Sequence, residues 1–161
     1  MQPVHALGVD AAILFADILL PVIPLGLGLE FAKGEGPVIA SPVRTLDDVR
    51  AMKPFDAESD LSYVIEAIRI LRGTLGGVPL IGFGGAPFTV ASYIIEGGSS
   101  REFLKTKAMM YSVPEVFHAL MERLSVVLSD YLVAQIHAGA QAVQVFDQWK
   151  VPSFQNCFYL K

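Results

Sequence analysis

Two aspartates stand where apolar runs give out. Asp17 follows "AAILFA" (residues 11–16) and precedes "ILLP", and Asp147 closes "AVQVF" (residues 142–146). A charge kept among apolar side chains costs free energy unless it is paired or used. Each is therefore either a helix N-cap or solvated loop residue, or a functional charge. Tyr93, in "ASYIIEGG", is a third candidate. An aromatic on an apolar helix is a core residue in the plain reading, but a buried phenol wants a hydrogen-bond partner.

Other chemistries are weaker on the same grounds. "GFGGAPFT" (residues 82–89) lacks the Gly-Lys-Ser/Thr that a nucleotide phosphate loop needs, and Pro87 occupies the third glycine position of a dinucleotide fingerprint. Its glycines point instead to close backbone approach at a strand end, with Pro87 suited to the first turn of the next helix. His5, His118 and His137 have no metal-ligand spacing, so no metal is expected. Glu96 reads as the end of a short helix. No G-x-S-x-G elbow or cysteine motif marks an activated nucleophile. The single Cys157 forms no internal disulfide and suits a reducing compartment.

The elements that must hold these residues are legible as period and punctuation. Three short apolar runs, residues 11–16, 79–83 and 142–146, read as strands buried on both faces. A Gly- and Pro-rich excursion follows the first of them. A short polar helix "LDDVRAM" comes next, then a longer helix over 60–75 with Leu61, Val64, Ile65, Ile68 and Leu71 on one face. Ser99 with Glu102, and Ser112 with Glu115, fit the capping box, the second opening a long helix. On that helix Phe117, Leu120, Leu124, Val127, Tyr131 and Ile136 form a stripe, and Gly139 ends it. Strand, helices, strand predicts an α/β fold with a parallel sheet and right-handed crossovers. In a barrel of such strands the C-terminal ends carry the site, which is where Asp17 and Asp147 fall.

Composition adds a constraint. Of the 161 residues 53% are apolar and 17% charged, against roughly 25% charged in ordinary soluble domains. A chain this short and apolar is expected to be covered by something more. The net charge of −4 and the dispersed six Arg and six Lys argue against nucleic acid. Residues 73–95 carry no charge and are long enough for a bilayer, but eight of those 23 are Gly or Pro. They, and residues 11–29 with Asp17 at their centre, read as core rather than membrane span.

Three blocks carry a resemblance. "GVDAAILFADIL" (residues 8–19), "PLIGFGGAPFTVASYIIEGG" (79–98) and "YLVAQIHAGAQAVQVFD" (131–147), in this order and spacing, resemble uroporphyrinogen decarboxylase, in its actinobacterial-type version. The resemblance implies part of a TIM (β/α)8-type barrel, about three of its parallel strands with their helices. It implies a cytoplasmic homodimer without metal or organic cofactor. The activity implied is decarboxylation of the acetate arms of uroporphyrinogen to methyls, giving coproporphyrinogen in haem and porphyrin biosynthesis. Asp17 matches the family's central aspartate, which accepts hydrogen bonds from the pyrrole N–H groups. Tyr93 matches a tyrosine that helps hold the substrate and Asp17.

The chain also departs from the family's pattern. The upstream arginine-rich segment that clamps the substrate's carboxylates is not found. Gln148, Trp149, Lys150 and Val151 replace the small hydroxyl residue, tryptophan and Ala-Gly turn expected after Asp147. Residues 1–147 are expected to be a partial barrel and 148–161 a divergent tail. A piece of that kind is expected to be inactive alone and either poorly folded or self-associating, through open strand edges and exposed apolar faces. Two alternatives remain open: a non-catalytic fragment that binds tetrapyrrole or partner chains, and part of a related zinc-dependent corrinoid methyltransferase.

Overall fold

The computed structural model describes residues 2–32 and 36–147. A three-stranded parallel sheet runs β1 (Ala12–Ile13), β4 (Leu80–Gly85), β5 (Ala142–Phe146), with β4 at its centre. The remaining elements are α1 (Gln2–Leu7), the antiparallel hairpin of β2 (Leu29–Ala32) and β3 (Gly36–Ile39), and α2 (Leu46–Arg50), α3 (Ala57–Asp60), α4 (Ser62–Thr74), α5 (Pro87–Glu96), α6 (Leu104–Ser112) and α7 (Pro114–His137). No described helix is long and apolar enough to cross a membrane.

The two faces of the sheet differ. Gly82 and Gly84 face α7: a Cβ on Gly82 would meet the Gln135 side chain, and one on Gly84 would meet Leu132. Residues two apart share a face, so Ile81 and Phe83 point the other way, beside their partners Ile13 and Gln144. Ile13, Gln144 and Phe146 are exposed there. Helices on the outside and an apolar inner face are the arrangement of three strands of a (β/α)8-type barrel.

β1 is shorter than the predicted 11–16, and the reason lies in α7. Its ladder with β4 ends with Leu14 N–H donating to Ile81 O. Backbone groups on β4 alternate sides, so those of Phe83 would next face β1. The buried Gln135 side chain takes them instead: Phe83 N–H donates to Oε1 at 2.8 Å, and Nε2 donates to Phe83 O at 2.9 Å. A side-chain amide thus stands in for a strand peptide. Residues 14–17 are free to leave the sheet.

Two helix-packed cores hold the layers. One joins α5 and α7 through Val90, Ile94, Phe117, Leu120 and Leu124; the other sets α4 against β4 and α7 through Ile65, Ile68, Leu80 and Tyr131. The predicted helix over 60–75 is α4, and a separate short helix, α3, precedes it and meets it at Leu61. Asp56 caps α3, whose Ala57 N–H also donates to Asp130 on α7. The predicted stripe on α7 is buried except for Ile136, which is exposed, while Ala134 and Gln135 take the inward positions.

Neither predicted capping box forms. Ser112 closes α6, and Pro114 opens α7 with Val113 as its N-cap. Glu96, the last residue of α5 as expected, supplies α6 from ten positions back. Its Oε1 accepts from both the N–H and the hydroxyl of Thr106, each at 2.9 Å. Phe103, not Ser99, is the N-cap of α6.

Tyr131 is the one buried side chain whose polar atom lacks a partner among the described residues. Burial, with Tyr63 nearby, pushes its phenol up to about 12. A hydroxyl buried without a partner forfeits its hydration and gains nothing. Tyr131→Phe is therefore expected to leave the melting temperature unchanged or raise it by a few degrees, as thermal unfolding by circular dichroism would register. A marked drop would mean that the hydroxyl has a partner.

Candidate active site

Because residues 14–17 depart from the sheet, they form one wall of a cavity of about 500 Å³ at the C-terminal ends of the three parallel strands. Phe15 and Asp17 come from the segment after β1, Phe83 from β4, Phe146 and Asp147 from the end of β5, and Thr89 from the first turn of α5. Parallel pairing in the order β1, β4, β5 brings these strand ends together although they are far apart in the chain.

Asp17 is exposed at this cavity. Its Oδ1 accepts from Leu19 N–H at 2.8 Å, and its carbonyl accepts from Leu20 N–H, opening the 3₁₀ turn Leu20–Val22. The loop-residue reading of Asp17 thus holds, at a position that also borders the cavity. One oxygen fixes the turn, and the carboxylate sits at the cavity. Among the described residues its other oxygen has no hydrogen-bond partner.

The rest of the wall is aromatic. The Phe15 and Phe83 rings lie 5.2 Å apart, and those of Phe83 and Phe146 lie 4.7 Å apart, both pairs tilted. Phe83 is buried between two rings that remain exposed. A surface of this kind suits a ligand with a broad apolar face and hydrogen-bond donors directed toward the carboxylates.

Asp147 shares the cavity with Asp17. Its Oδ1 accepts from the Thr89 hydroxyl at 2.6 Å. Tyr93 is not among the residues that line the cavity. It lies half-buried against the α5–α7 core, one turn along α5 from Thr89 and so on the same helix face. The structure therefore brings Asp17 and Asp147 together and leaves Tyr93 adjacent. His118 and His137 are exposed on α7, away from the cavity. Among the described residues no group of three or more His, Cys, Asp or Glu is placed to hold a metal. Cys157 and residues 148–151 lie outside the described residues.

The glycine segment proves to be packing, as its spacing suggested. A Cβ on Gly85 would come within 3.0 Å of Val90 and 3.1 Å of Ile18. Without one, the end of β4 lies close beside the segment that carries Asp17. Pro87 is the first residue of α5. Thr89 and the aromatic trio were missed from sequence. The available signal was a phenylalanine near the end of each of the three predicted strands.

Comparison with known proteins supplies the affiliation. The family model described as uroporphyrinogen decarboxylase (URO-D) matches residues 1–152. The uroporphyrinogen decarboxylase of Carboxydothermus hydrogenoformans is 58% identical over 150 residues, 92% of this chain and 43% of that protein. Those of Chloroflexus aurantiacus and Acinetobacter baylyi are each 56% identical, over 92% of this chain and 42% of theirs. The chain thus spans less than half the length of these relatives. A methyltransferase from Methanosarcina mazei superposes with a TM-score of 0.66 at 21% identity, over 89% of this chain and 42% of that one. That likeness carries the fold alone and does not favour the methyltransferase alternative. With the three quoted blocks, the strand-end cavity and these identities in agreement, the chain belongs to the uroporphyrinogen decarboxylase family.

Proposed function

We propose that this chain supplies the Asp17 side of a uroporphyrinogen decarboxylase site. The reaction removes carbon dioxide from the four acetate side chains of uroporphyrinogen III and leaves methyls, giving coproporphyrinogen III. Protonation of a pyrrole carbon creates a cationic electron sink. The C–C bond to the carboxylate then breaks, its electrons flow into the ring, carbon dioxide departs, and a proton completes the methyl. A fixed carboxylate beside the pyrrole N–H groups stabilises that developing positive charge without having to reorganise.

The observation that carries this reading is Asp17 at the strand-end cavity, with one oxygen held by Leu19 N–H and three phenylalanine rings forming the adjoining surface. Tyr93 acts beside it, holding substrate and Asp17. Residues 1–147 form the barrel portion and 148–161 a divergent tail. The whole protein works as a cytoplasmic homodimer without metal or organic cofactor, as the family affiliation suggests.

A purified sample of the 161-residue chain is expected to bind uroporphyrin, the oxidised fluorescent counterpart of the substrate, yet to form no coproporphyrinogen. Among the described residues no cation lines the cavity, so the substrate's carboxylates find no counter-charge there. Chromatography of the oxidised reaction products tests this. Turnover by chain free of host enzyme would overturn the second expectation. Uroporphyrin fluorescence indifferent to the chain would overturn the functional reading.

A further inference from the structure

We infer that Asp147 is a positioning residue: through the Thr89 hydroxyl it fixes the first turn of α5, and with it the orientation of Tyr93 one turn further along that helix. The inference rests on the reading of Asp17 and Tyr93 given above. α5 begins without a side-chain cap of its own, since Ala86 is its N-cap and Pro87 follows. Its start is tied instead to the end of β5. Ala86 N–H donates to Phe146 O at 2.8 Å, and Thr89, the third residue of the helix and buried, donates from Oγ1 to Asp147 Oδ1 at 2.6 Å.

The two bonds go to consecutive residues, the last of β5 and the one after it, so they fix both the position and the rotation of the helix start. A carboxylate there is also favoured by the helix dipole. Tyr93 lies four residues after Thr89, on the same face and one turn on. Rotation of α5 about its axis would carry Thr89 away from the cavity and swing Tyr93 with it. Ser92 Oγ donates to Thr89 O at 2.7 Å, which stiffens the same turn. Asp147 need not touch substrate to matter. It holds the helix that does.

The test uses the full chain and three substitutions at this link. Asp147→Ala removes the acceptor, Thr89→Val removes the donor at nearly constant shape, and Thr89→Ser keeps the hydroxyl. Amide hydrogen exchange is expected to accelerate in residues 87–97 for the first two variants while α4 and α7 keep wild-type protection. Each of the two is expected to weaken uroporphyrin binding about tenfold, the worth of one hydrogen bond to a charged group. Thr89→Ser is expected to bind as wild type.

The decisive readout is a double-mutant cycle. If Asp147 acts through the placement of Tyr93, Tyr93→Phe costs less in the Asp147→Ala background than in wild type. Equal Tyr93→Phe penalties in both backgrounds, or exchange that rises evenly over α5 and α7, would overturn the inference. If uroporphyrin binding ignores Asp17→Asn and Tyr93→Phe, the functional reading fails separately. Exchange confined to α5 would still support the positioning role, and even exchange would still refute it.

Discussion

Gln135→Leu is expected to lower the melting temperature of the chain by roughly 5–20 °C, as one central amide does the work of a missing strand partner. Leucine fills nearly the same volume, so the change opens little cavity. What it removes is polar: the donor to Phe83 O and the acceptor for Phe83 N–H, both in a buried setting. Each buried backbone group left unsatisfied costs about 1–3 kcal/mol, which puts the pair at roughly 2–6 kcal/mol. That is a large share of the about 5–15 kcal/mol that ordinarily stabilises a domain. Differential scanning calorimetry would measure the loss.

Gly82→Ala should reproduce much of it from the opposite direction. An added Cβ would fall 2.6 Å from Gln135 Oε1 and 3.2 Å from Val143 Cγ1, so the amide must move and surrender its bonds. The two substitutions act on one contact, and their combined effect is expected to fall short of the sum. Ile136→Ala, at the neighbouring exposed position, is the control and should change stability by no more than about 0.5 kcal/mol. A Gln135→Leu protein that melts like wild type would mean that β1 or water can take over the Phe83 peptide groups.

What the sequence disclosed and what it concealed divide along the same physical line. Long runs with one unbroken period were readable, because a 3.6-residue or continuous apolar pattern reports directly which face is buried. β4, α4 and the greater part of α7 were found in this way. β5 was found as a strand but not in its burial: it is the edge of the sheet, and Ala142, Gln144, Val145 and Phe146 are exposed rather than covered on both faces. Elements defined by a partner far along the chain were not found in this way. The Gly- and Pro-rich stretch after β1 holds the four-residue strands β2 and β3, paired antiparallel. Its register is set by pairing, and in one dimension it resembles an irregular excursion.

The capping boxes failed for a related reason. The Ser-x-x-Glu pattern is present at 112–115, but Pro114 is better suited to the first helical position than to the interior of a capped turn. At α6 a carboxylate from the end of α5 takes Thr106, while the local serine that serves is Ser100, whose hydroxyl accepts from Phe103 N–H just ahead of the helix. Asp17 was legible as a charge at a strand end. The Thr89–Asp147 bond spans 58 positions. It exists only once the crossover through α6 and α7 has returned the chain to the sheet, so no local pattern announces it.

Asp17→Asn is expected to weaken uroporphyrin binding by the chain about 10- to 100-fold while the melting temperature stays within a few degrees of wild type. The substitution separates the two jobs of the side chain. Asparagine keeps an oxygen in place of Oδ1 that can go on accepting from Leu19 N–H, so the turn into Leu20–Val22 persists. It gives up the charge and presents an amide N–H₂ or a weaker neutral acceptor where the ligand's N–H groups would bind. Hydrogen bonds to an ionised acceptor are worth about 1.5–3 kcal/mol each, and about 1.4 kcal/mol is tenfold in affinity, which fixes the range. In a complete barrel that carries these residues the loss in decarboxylation rate should be at least as large. The same carboxylate would meet a ring that becomes more positive in the transition state, and only interactions that strengthen there raise the rate. Asp17→Ala would lower both binding and stability and so blur the distinction. Fluorescence titration beside thermal melting decides the matter. If Asp17→Asn loses stability and keeps its affinity, Asp17 is a turn cap that happens to border a cavity, and the chemistry assigned to it must be carried by other groups.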